Sequence, residues 1–330
     1  MTLALGSAAM PTPACIDDAL VGRFRRDLAA LAGAERLGVA VSGGPDSLAL
    51  LLLAHAAMQG RVEAATVDHR LRPENAAEAA HVAAVCAALG VPHASLSDPT
   101  RPVAGASVQA QARALRYRLL SAWAADRGLH VLATAHHADD QAETMLMRLA
   151  RGAGVGGLAG IRARREEGPL TVVRPLLGWR REELARIVAD AGLVPVDDPS
   201  NRSDAHDRTR FRTLLAETQL LPPARLAASA SHLAEAEQAL AWSTEQAWSE
   251  RARRDAGMLI LDVAGLPREL LRRLADRAVS EVRGGDDWRT DKLAPLLDAL
   301  AAGGTANLAG VRIDGGPVWR FSTEPPRRSG

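Results

Sequence analysis

The sequence predicts an α/β protein: a doubly wound parallel sheet, followed by a smaller, mostly helical C-terminal domain with short strands. Three observations carry this. Short β-branched runs alternate with longer Ala/Leu-rich segments of helical length. The first run, Val39-Ala40-Val41, ends in the turn Ser42-Gly43-Gly44-Pro45-Asp46-Ser47 and continues into the unbroken apolar stretch Leu48–Leu53, which reads as a buried helix. Ser42, Asp68 and His136 each fall just where a predicted strand ends. Open α/β sheets bind their ligands at the carboxyl ends of their strands.

The elements follow in order. Residues 16–36 read as an amphipathic helix, 37–41 as the first strand, and the helix after the glycine turn extends to about Met58. Residues 62–67 form a second strand ending at Asp68-His69, 76–89 a helix stopped by Gly90, and 91–96 a third strand. A Pro/Gly/Ser-rich loop over 97–106 precedes a helix over 107–127, with Val108, Ala112, Leu115 and Leu119 on one face. Residues 129–134 make a fourth strand and 139–149 a helix. Gly152–Gly160 is glycine-rich and is expected to be mobile, 172–177 is a short strand with a proline stop, and 180–191 is a helix. Residues 197–212 read as a polar loop dense in Asp and Arg. Pro222-Pro223 marks the expected boundary, dividing the chain into 1–221 and 222–330. After it come a long helix over 225–254, helices near 266–282 and 290–302, strands near 305–321, and a tail from Thr323 expected to be disordered.

Composition narrows the function. At 330 residues the chain suggests two domains. A net charge of +1 excludes a global basic field, so any nucleic-acid surface must be a local patch. Lys292 is the only lysine among 40 basic residues, leaving 39 arginines. Arginine clamps phosphates but is a poor general base, so Schiff-base and P-loop lysine chemistry drop out unless Lys292 supplies them. Cys15 and Cys86 are too few and too far apart for a disulfide framework or a Cys-x-x-Cys site. No stretch is long and apolar enough to span a membrane and no signal peptide is evident, so the reading is a cytoplasmic enzyme.

Strand, glycine turn and helix together form a phosphate site. Successive backbone N–H groups point into one concavity, and the helix N-terminus adds a partial positive charge. The turn lacks the lysine of Gly-x-x-x-x-Gly-Lys-Ser/Thr and the spacing of Gly-x-Gly-x-x-Gly. The plain alternative is an ordinary βα turn capped by Ser47. Asp68 could meet a ribose or a metal and Arg72 a phosphate, or the pair could be a solvated strand end. His136-His137-Ala138-Asp139-Asp140-Gln141-Ala142-Glu143 is denser. Adjacent histidines do not make the i, i+4 ligand pair of a helical zinc site. Asp140 and Glu143 share a helix face and suit a bound Mg²⁺ or an ammonium group. The plain alternative there is an acidic helix start. A third cluster, Asp197–Asn201 followed by Arg202, Arg208, Arg210 and Arg212, combines a turn with arginine forks suited to phosphodiesters and carboxylates; its plain alternative is a solvated loop.

Together these stretches resemble the tRNA(Ile)-lysidine synthetases, a family of PP-loop ATP pyrophosphatases with a Rossmann-like sheet. The matching residues are Ser42–Ser47; Val67–Arg72 with Glu78-Ala79; Gln111-Ala112-Arg113 with Arg116-Tyr117; Thr134–Thr144 through Arg148–Gly152 to Gly157–Gly160; Arg174–Leu177; and Asp198–Asn201 with Arg208 and Arg212. They run in family order across about residues 37 to 215, and the His-His-x-Asp-Asp-Gln-x-Glu-Thr run is the most specific. Thr209 stands where the family has Asn.

The resemblance implies that 1–221 is the catalytic domain and 222–330 binds tRNA. ATP would adenylate the C2 oxygen of the first anticodon cytidine of a tRNA(Ile) with a CAU anticodon. Free L-lysine would then attack C2 and expel AMP. Ser42, Gly43, Gly44, Pro45, Asp46, Ser47 and Asp68 would bind ATP, with Asp46 holding Mg²⁺. Asp46, His136, Asp140 and Arg208 would be catalytic, with His136 or its neighbour His137 as the base. Asp140, Glu143, Arg113, Arg116, Arg174 and Arg212 would bind substrate, and the lysine α-ammonium would sit on Asp140 and Glu143. The oligomeric state stays open between monomer and homodimer. Arg202, Arg208 and Arg212 are expected at the anticodon loop, and Arg251, Arg253, Arg254, Arg272, Arg273 and Arg277 on the tRNA body. The rivals are a tRNA thiolase, which typically needs Cys-x-x-Cys pairs, an amide-forming relative, which needs an ammonia source, and a non-catalytic nucleotide sensor, which needs none of the Asp/His/Arg clusters.

Overall fold

The computed structural model describes residues 16–68, 74–98, 108–196, 207–285 and 293–324. They separate into two compact units, one ending at Ala234 and the other starting at Glu235.

The first unit is built on six strands: β1 (Leu37–Ala40), β2 (Val62–Asp68), β3 (His93–Ser97), β4 (Val131–Ala133), β5 (Arg164–Glu167) and β6 (Leu170–Val173). Their order is β3-β2-β1-β4-β6-β5. All neighbours pair in parallel except the edge strand β5, which is antiparallel to β6. The chain steps outward from β1 to β3, then returns to the other side of β1 as β4. The carboxyl ends of β1 and β4 therefore flank the point where the winding reverses, the standard ligand crevice of such sheets.

Helices cover the sheet: α1 (Asp18–Leu31), α2 (Pro45–Met58), α3 (Glu74–Leu89), α4 (Val108–Asp126), α5 (Ala138–Leu149), the single turn α6 (Val155–Leu158), α7 (Arg181–Asp190) and α8 (Asp207–Glu217). α2 carries almost no polar face, and Leu48 through Leu53 are all buried. It packs against α1 and α7. Burying each of its leucines is worth about 1.5–3 kcal/mol, which anchors the helix whose N-terminus closes the glycine turn. α1 is tied to the segment before α7 by Trp179 Nε1, which donates to Asp27 Oδ2 at 2.8 Å, and by Arg23 stacked 4.0 Å over the Trp179 ring.

Two expectations fail here for the same reason: tertiary hydrogen bonds override local composition. Gly152–Gly160, expected to be mobile, contains α6 and is pinned from α5. Arg148 donates to the carbonyls of Gly157 at 2.7 Å and Gly160 at 2.8 Å, and Gln141 exchanges hydrogen bonds with the backbone of Ile161. The polar loop expected to run to Arg212 is helical from Asp207, as α8. Arg208 and Arg212 pair with carboxylates of α5, whereas Arg210 is exposed.

The long helix α9 (Pro223–Arg251) carries the chain from the first unit into the second, so the compact units divide inside a helix rather than at Pro222-Pro223. The second unit holds a five-stranded antiparallel sheet, ordered β7-β8-β11-β10-β9. Its strands are β7 (Ala252–Asp255), β8 (Met258–Asp262), β9 (Thr305–Leu308), β10 (Val311–Asp314) and β11 (Val318–Thr323). The helix α10 (Arg268–Arg283) and the short α11 (Leu297–Ala301) complete it, around a core of Leu261, Leu274, Ile313, Trp319 and Phe321. β7 and β8 replace the last turn of the expected helix. They are joined by a two-residue turn in which Ala256 (φ 47°) and Gly257 (φ 79°) both have positive φ, the geometry that matches strand twist. Residues 325–330 of the tail lie outside the described residues.

Candidate active site

The turn after β1 divides its work among four residues. Gly43 has φ +88°, and a Cβ there would lie 2.9 Å from Val196 Cγ2 and 3.2 Å from Val82 Cγ2, so the fold itself excludes a side chain. Gly44 has φ −71°, and an added Cβ would meet only Ser42 Oγ, at 3.8 Å. Its lack of a side chain keeps the N-terminus of α2 uncovered. Gly44 caps α2 without a side-chain hydrogen bond, and Pro45 follows in the first turn. The free N–H groups there are a ready anion site. Ser47 is buried; its hydroxyl accepts from Ser42 N–H at 3.1 Å and donates to the Gly44 carbonyl at 3.0 Å. It shapes the turn rather than facing a ligand, whereas Ser42 is exposed.

Asp46, in the first turn of α2, meets the cluster from β4 and α5. His137 is fully buried and caps α5: its Nδ1 accepts from Asp140 N–H at 3.4 Å, and Asp140 Oδ2 accepts from His137 N–H at 3.1 Å. Nε2 then carries the proton, 3.4 Å from Asp46 Oδ2 and 3.5 Å from Asp140 Oδ2. Burial alone would lower the His137 pKa, but Asp46 and Asp140 together outweigh it and the net shift is upward. His136 goes the other way. Burial, with Arg174, Arg208 and Arg113 nearby, pushes it down to about 4 despite Asp140. The two adjacent histidines are thus separated electrostatically: His136 stays neutral at neutral pH, while the Asp46 and Asp140 carboxylates shift His137 the opposite way.

Arg208 and Arg212, one turn apart on α8, reach across to α5. Arg208 Nη2 donates to Asp140 Oδ1 at 2.9 Å, Arg208 Nε to Glu143 Oε2 at 2.7 Å, and Arg212 Nε to Glu143 Oε1 at 2.9 Å. Arg181, which no sequence motif marks, adds a contact to Glu143 Oε1 at 3.5 Å. Glu143 is 1% exposed, with both oxygens engaged. Where a lysine ammonium was expected on Glu143, the structure has Arg208 and Arg212 on its two oxygens. Asp140 retains an exposed edge, at 15% of its side chain. Burial would raise its pKa, but His137, Arg208 and His136 hold it below the ordinary carboxylate value. Asp139 faces away, paired with Arg180 at 3.2 Å and accepting Arg181 N–H at 2.9 Å, and so fastens α7 to α5.

The remaining expected residues are spread more widely. Arg174 is 3% exposed and donates to the Arg162 carbonyl at 2.6 Å and Tyr117 Oη at 3.4 Å. Its charge is felt at His136, whose pKa it helps to lower. Arg113 and Arg165 lie over the Tyr117 ring at 5.2 and 4.9 Å. Arg116 is exposed on α4, and Asp68 ends β2, the strand beside β1. His69–Arg72, Asp198–Asn201 and Arg202 lie outside the described residues. In the second unit most of the expected arginine patch is paired. Arg254 binds Glu281 at 2.7 Å, Arg272 binds Glu269 at 2.7 Å, and Arg273 binds Glu237 at 2.6 Å. Arg277 binds Glu245 at 2.5 Å, and Arg251 donates to the Ala264 carbonyl at 2.7 Å. Arg253 is exposed on β7, with Ile260 and then Arg320 as its cross-strand neighbours. The pairs of Arg254, Arg273 and Arg277 with Glu281, Glu237 and Glu245 are invisible in the sequence, because they depend on which acidic residues a fold brings near.

A phosphate-binding turn at the switch point of a parallel sheet, with an Asp/His/Arg cluster on its rim, defines an ATP-using enzyme of the PP-loop class, and the PP-loop domain family matches residues 20–219. Curated relatives narrow the class. The tRNA(Ile)-lysidine synthase of Novosphingobium aromaticivorans is 48% identical over 93% of this chain and 94% of its own length. That of Zymomonas mobilis is 45% identical over 89% and 90%, and that of Ruegeria pomeroyi 43% over 88% and 71%. The chain belongs to the tRNA(Ile)-lysidine synthase family. Among solved structures, the U34-tRNA thiolase NcsA from Methanococcus maripaludis superposes with a TM-score of 0.54 at 14% identity. It covers 65% of this chain and 77% of its own, a likeness of fold alone. Cys86, the free cysteine among the described residues, is buried, and burial pushes its thiol up to about 12, far from thiolate chemistry.

Proposed function

We propose that the protein ligates free L-lysine to C2 of the first anticodon cytidine of a tRNA(Ile) with a CAU anticodon, with ATP as the energy source. The observation that carries this reading is the meeting of Asp46, from the phosphate turn, with His137 at 3.4 Å and through it with Asp140 and Arg208. A site for a nucleotide's phosphates and a site for a charged co-substrate share one floor.

The chemistry follows from the groups present. The cytidine C2 oxygen is a poor leaving group until it attacks the α-phosphorus of ATP, releasing pyrophosphate and leaving the oxygen adenylated. The N–H groups at the start of α2 hold the departing pyrophosphate. Asp46 Oδ1 is buried without a hydrogen-bond partner among the described residues, which fits a Mg²⁺ ligand. A bound ion would neutralise phosphate charge, and with no cluster of three or more protein ligands among the described residues, water and phosphate would complete its shell. Asp140 receives the lysine α-ammonium beside Arg208. The side-chain amine must be neutral to attack C2; His136, neutral and half-buried, accepts the proton lost as the C–N bond forms and AMP leaves. Arg208 stabilises the phosphate charge of the departing AMP.

The test supplies labelled lysine, ATP and total tRNA. Label should enter one tRNA species with stoichiometric AMP. A requirement for sulfur in place of lysine would mean a thiolase, and no AMP release at all would mean a nucleotide sensor.

A further inference from the structure

A second recess lies beside this cluster. It is a groove of about 380 Å³ between α5 and α8, lined by Met147, Ala150, Arg151, Arg210, Phe211 and Leu214. We propose that it seats an unpaired nucleobase of the RNA substrate, next to the cytidine that reacts; the inference rests on the lysidine-forming reading above.

Position, shape and charge support it. Met147 follows Glu143 by four residues, so it sits one turn further along the same face of α5. Phe211 likewise follows Arg208 by three on α8. The groove therefore continues the seam between α5 and α8 that Arg208 and Arg212 clamp. Of the chain's three phenylalanines, Phe24 and Phe321 are fully buried in cores. Phe211 alone lines a surface recess. Leu214 is 44% exposed and Leu149, on the same stretch of α5, is 54% exposed, so part of this apolar surface stays open in the packing of the described residues. Arg151 and Arg210 are both exposed where they line the groove. Apolar and aromatic walls with cationic edges accept a splayed base and its phosphate. An apolar peptide would gain nothing from the two arginines. The volume falls within the range of pockets for single small ligands, roughly 300–1,000 Å³.

The experiment measures binding of an anticodon stem-loop RNA to the full-length protein. It compares the intact RNA with versions carrying an abasic residue on either side of the target cytidine. Phe211→Ala and Leu214→Ala should each weaken binding of the intact RNA, with about a tenfold loss for Phe211→Ala. One abasic RNA should lose a similar factor against wild type. Combining it with Phe211→Ala should add less than about twofold, because the base and the ring that stacks on it act as one pair. Phe211→Leu, which keeps an apolar wall, should fall between, and equal melting temperatures would show that the variants fold. KM for lysine should not move. Additive losses for both abasic RNAs, or unchanged RNA affinity in the variants, would overturn the proposal. So would a change confined to self-association, which would make the groove a contact between copies. If wild type forms no lysidine at all, the functional reading fails; if it does and the losses add, only this inference fails.

Discussion

At the scale of single residues, the site depends on which charges are already paired. Glu143→Gln leaves Arg208 and Arg212 sharing one acceptor oxygen. Both arginines are partly exposed, 42% and 34%, so water offsets part of the loss. We expect a stability decrease of about 1–2 kcal/mol, read as a lower urea midpoint at unchanged slope. Lysine turnover should fall with it, through misplacement of Arg208. An unchanged midpoint would show that the buried carboxylate does not hold α8 in place. His136 gives a pH signature. Its folded pKa, about 4, lies below the ordinary 6.5, so between these values the unfolded chain binds more protons. Its stabilising contribution is complete above pH 6.5 and is lost as pH falls toward 4. His136→Gln should therefore lose less stability than wild type on acidification through that window. Asp139 and Asp140, whose values are lowered from 3.8, act only below it. Parallel wild-type and variant curves would refute the assignment.

At the scale of elements, two segments are held by contacts that their own sequence does not announce. Gly43→Ala would force a Cβ into Val196 at a positive φ. It should destabilise the first unit by at least about 1–3 kcal/mol and abolish AMP formation together with it. Loss of activity with full stability would instead assign Gly43 to the ligand. The Gly152–Gly160 segment depends on Arg148, whose Nη1 binds two of its carbonyls. Arg148→Met keeps the apolar stem and removes those bonds, so amide exchange across 152–160 should accelerate while β1 and β4 stay protected. Unchanged protection there would mean that the turn α6 holds itself.

At the scale of the molecule, charge is nearly balanced overall at +1, and in the second unit most helix arginines are committed to carboxylates. We predict that any RNA contact made by that unit falls to the strand face carrying Arg253 and Arg320, both exposed. Arg253→Ala with Arg320→Ala should weaken tRNA binding without base preference. The salt slope should become shallower by about 1 for each phosphate that is no longer neutralised. Equivalent changes at Arg272 and Arg273 should alter stability more than affinity. The reverse result would return tRNA binding to α10.

The sequence by itself determined the class of fold, the phosphate turn and the family. Each is encoded locally: period-two and helical apolar runs, two glycines before an uninterrupted leucine helix, and a dense His/Asp/Glu run at a strand end. It also singled out Asp46, His136, Asp140 and Arg208, which the fold brings near one another. Only the tertiary structure decided what those groups are free to do. Glu143 and Arg212 commit their charges to each other, and Arg174 is buried against Tyr117 and a carbonyl. His136 and His137, neighbours in sequence, are shifted in opposite directions from the ordinary histidine value by different surroundings. The helix over 207–217 was hidden for the same reason. Its apolar pattern is weak, and what orders it is a pair of arginines whose carboxylates lie more than sixty residues away in the chain. Periodicity reports burial along one element, whereas ion pairing and desolvation depend on which elements meet.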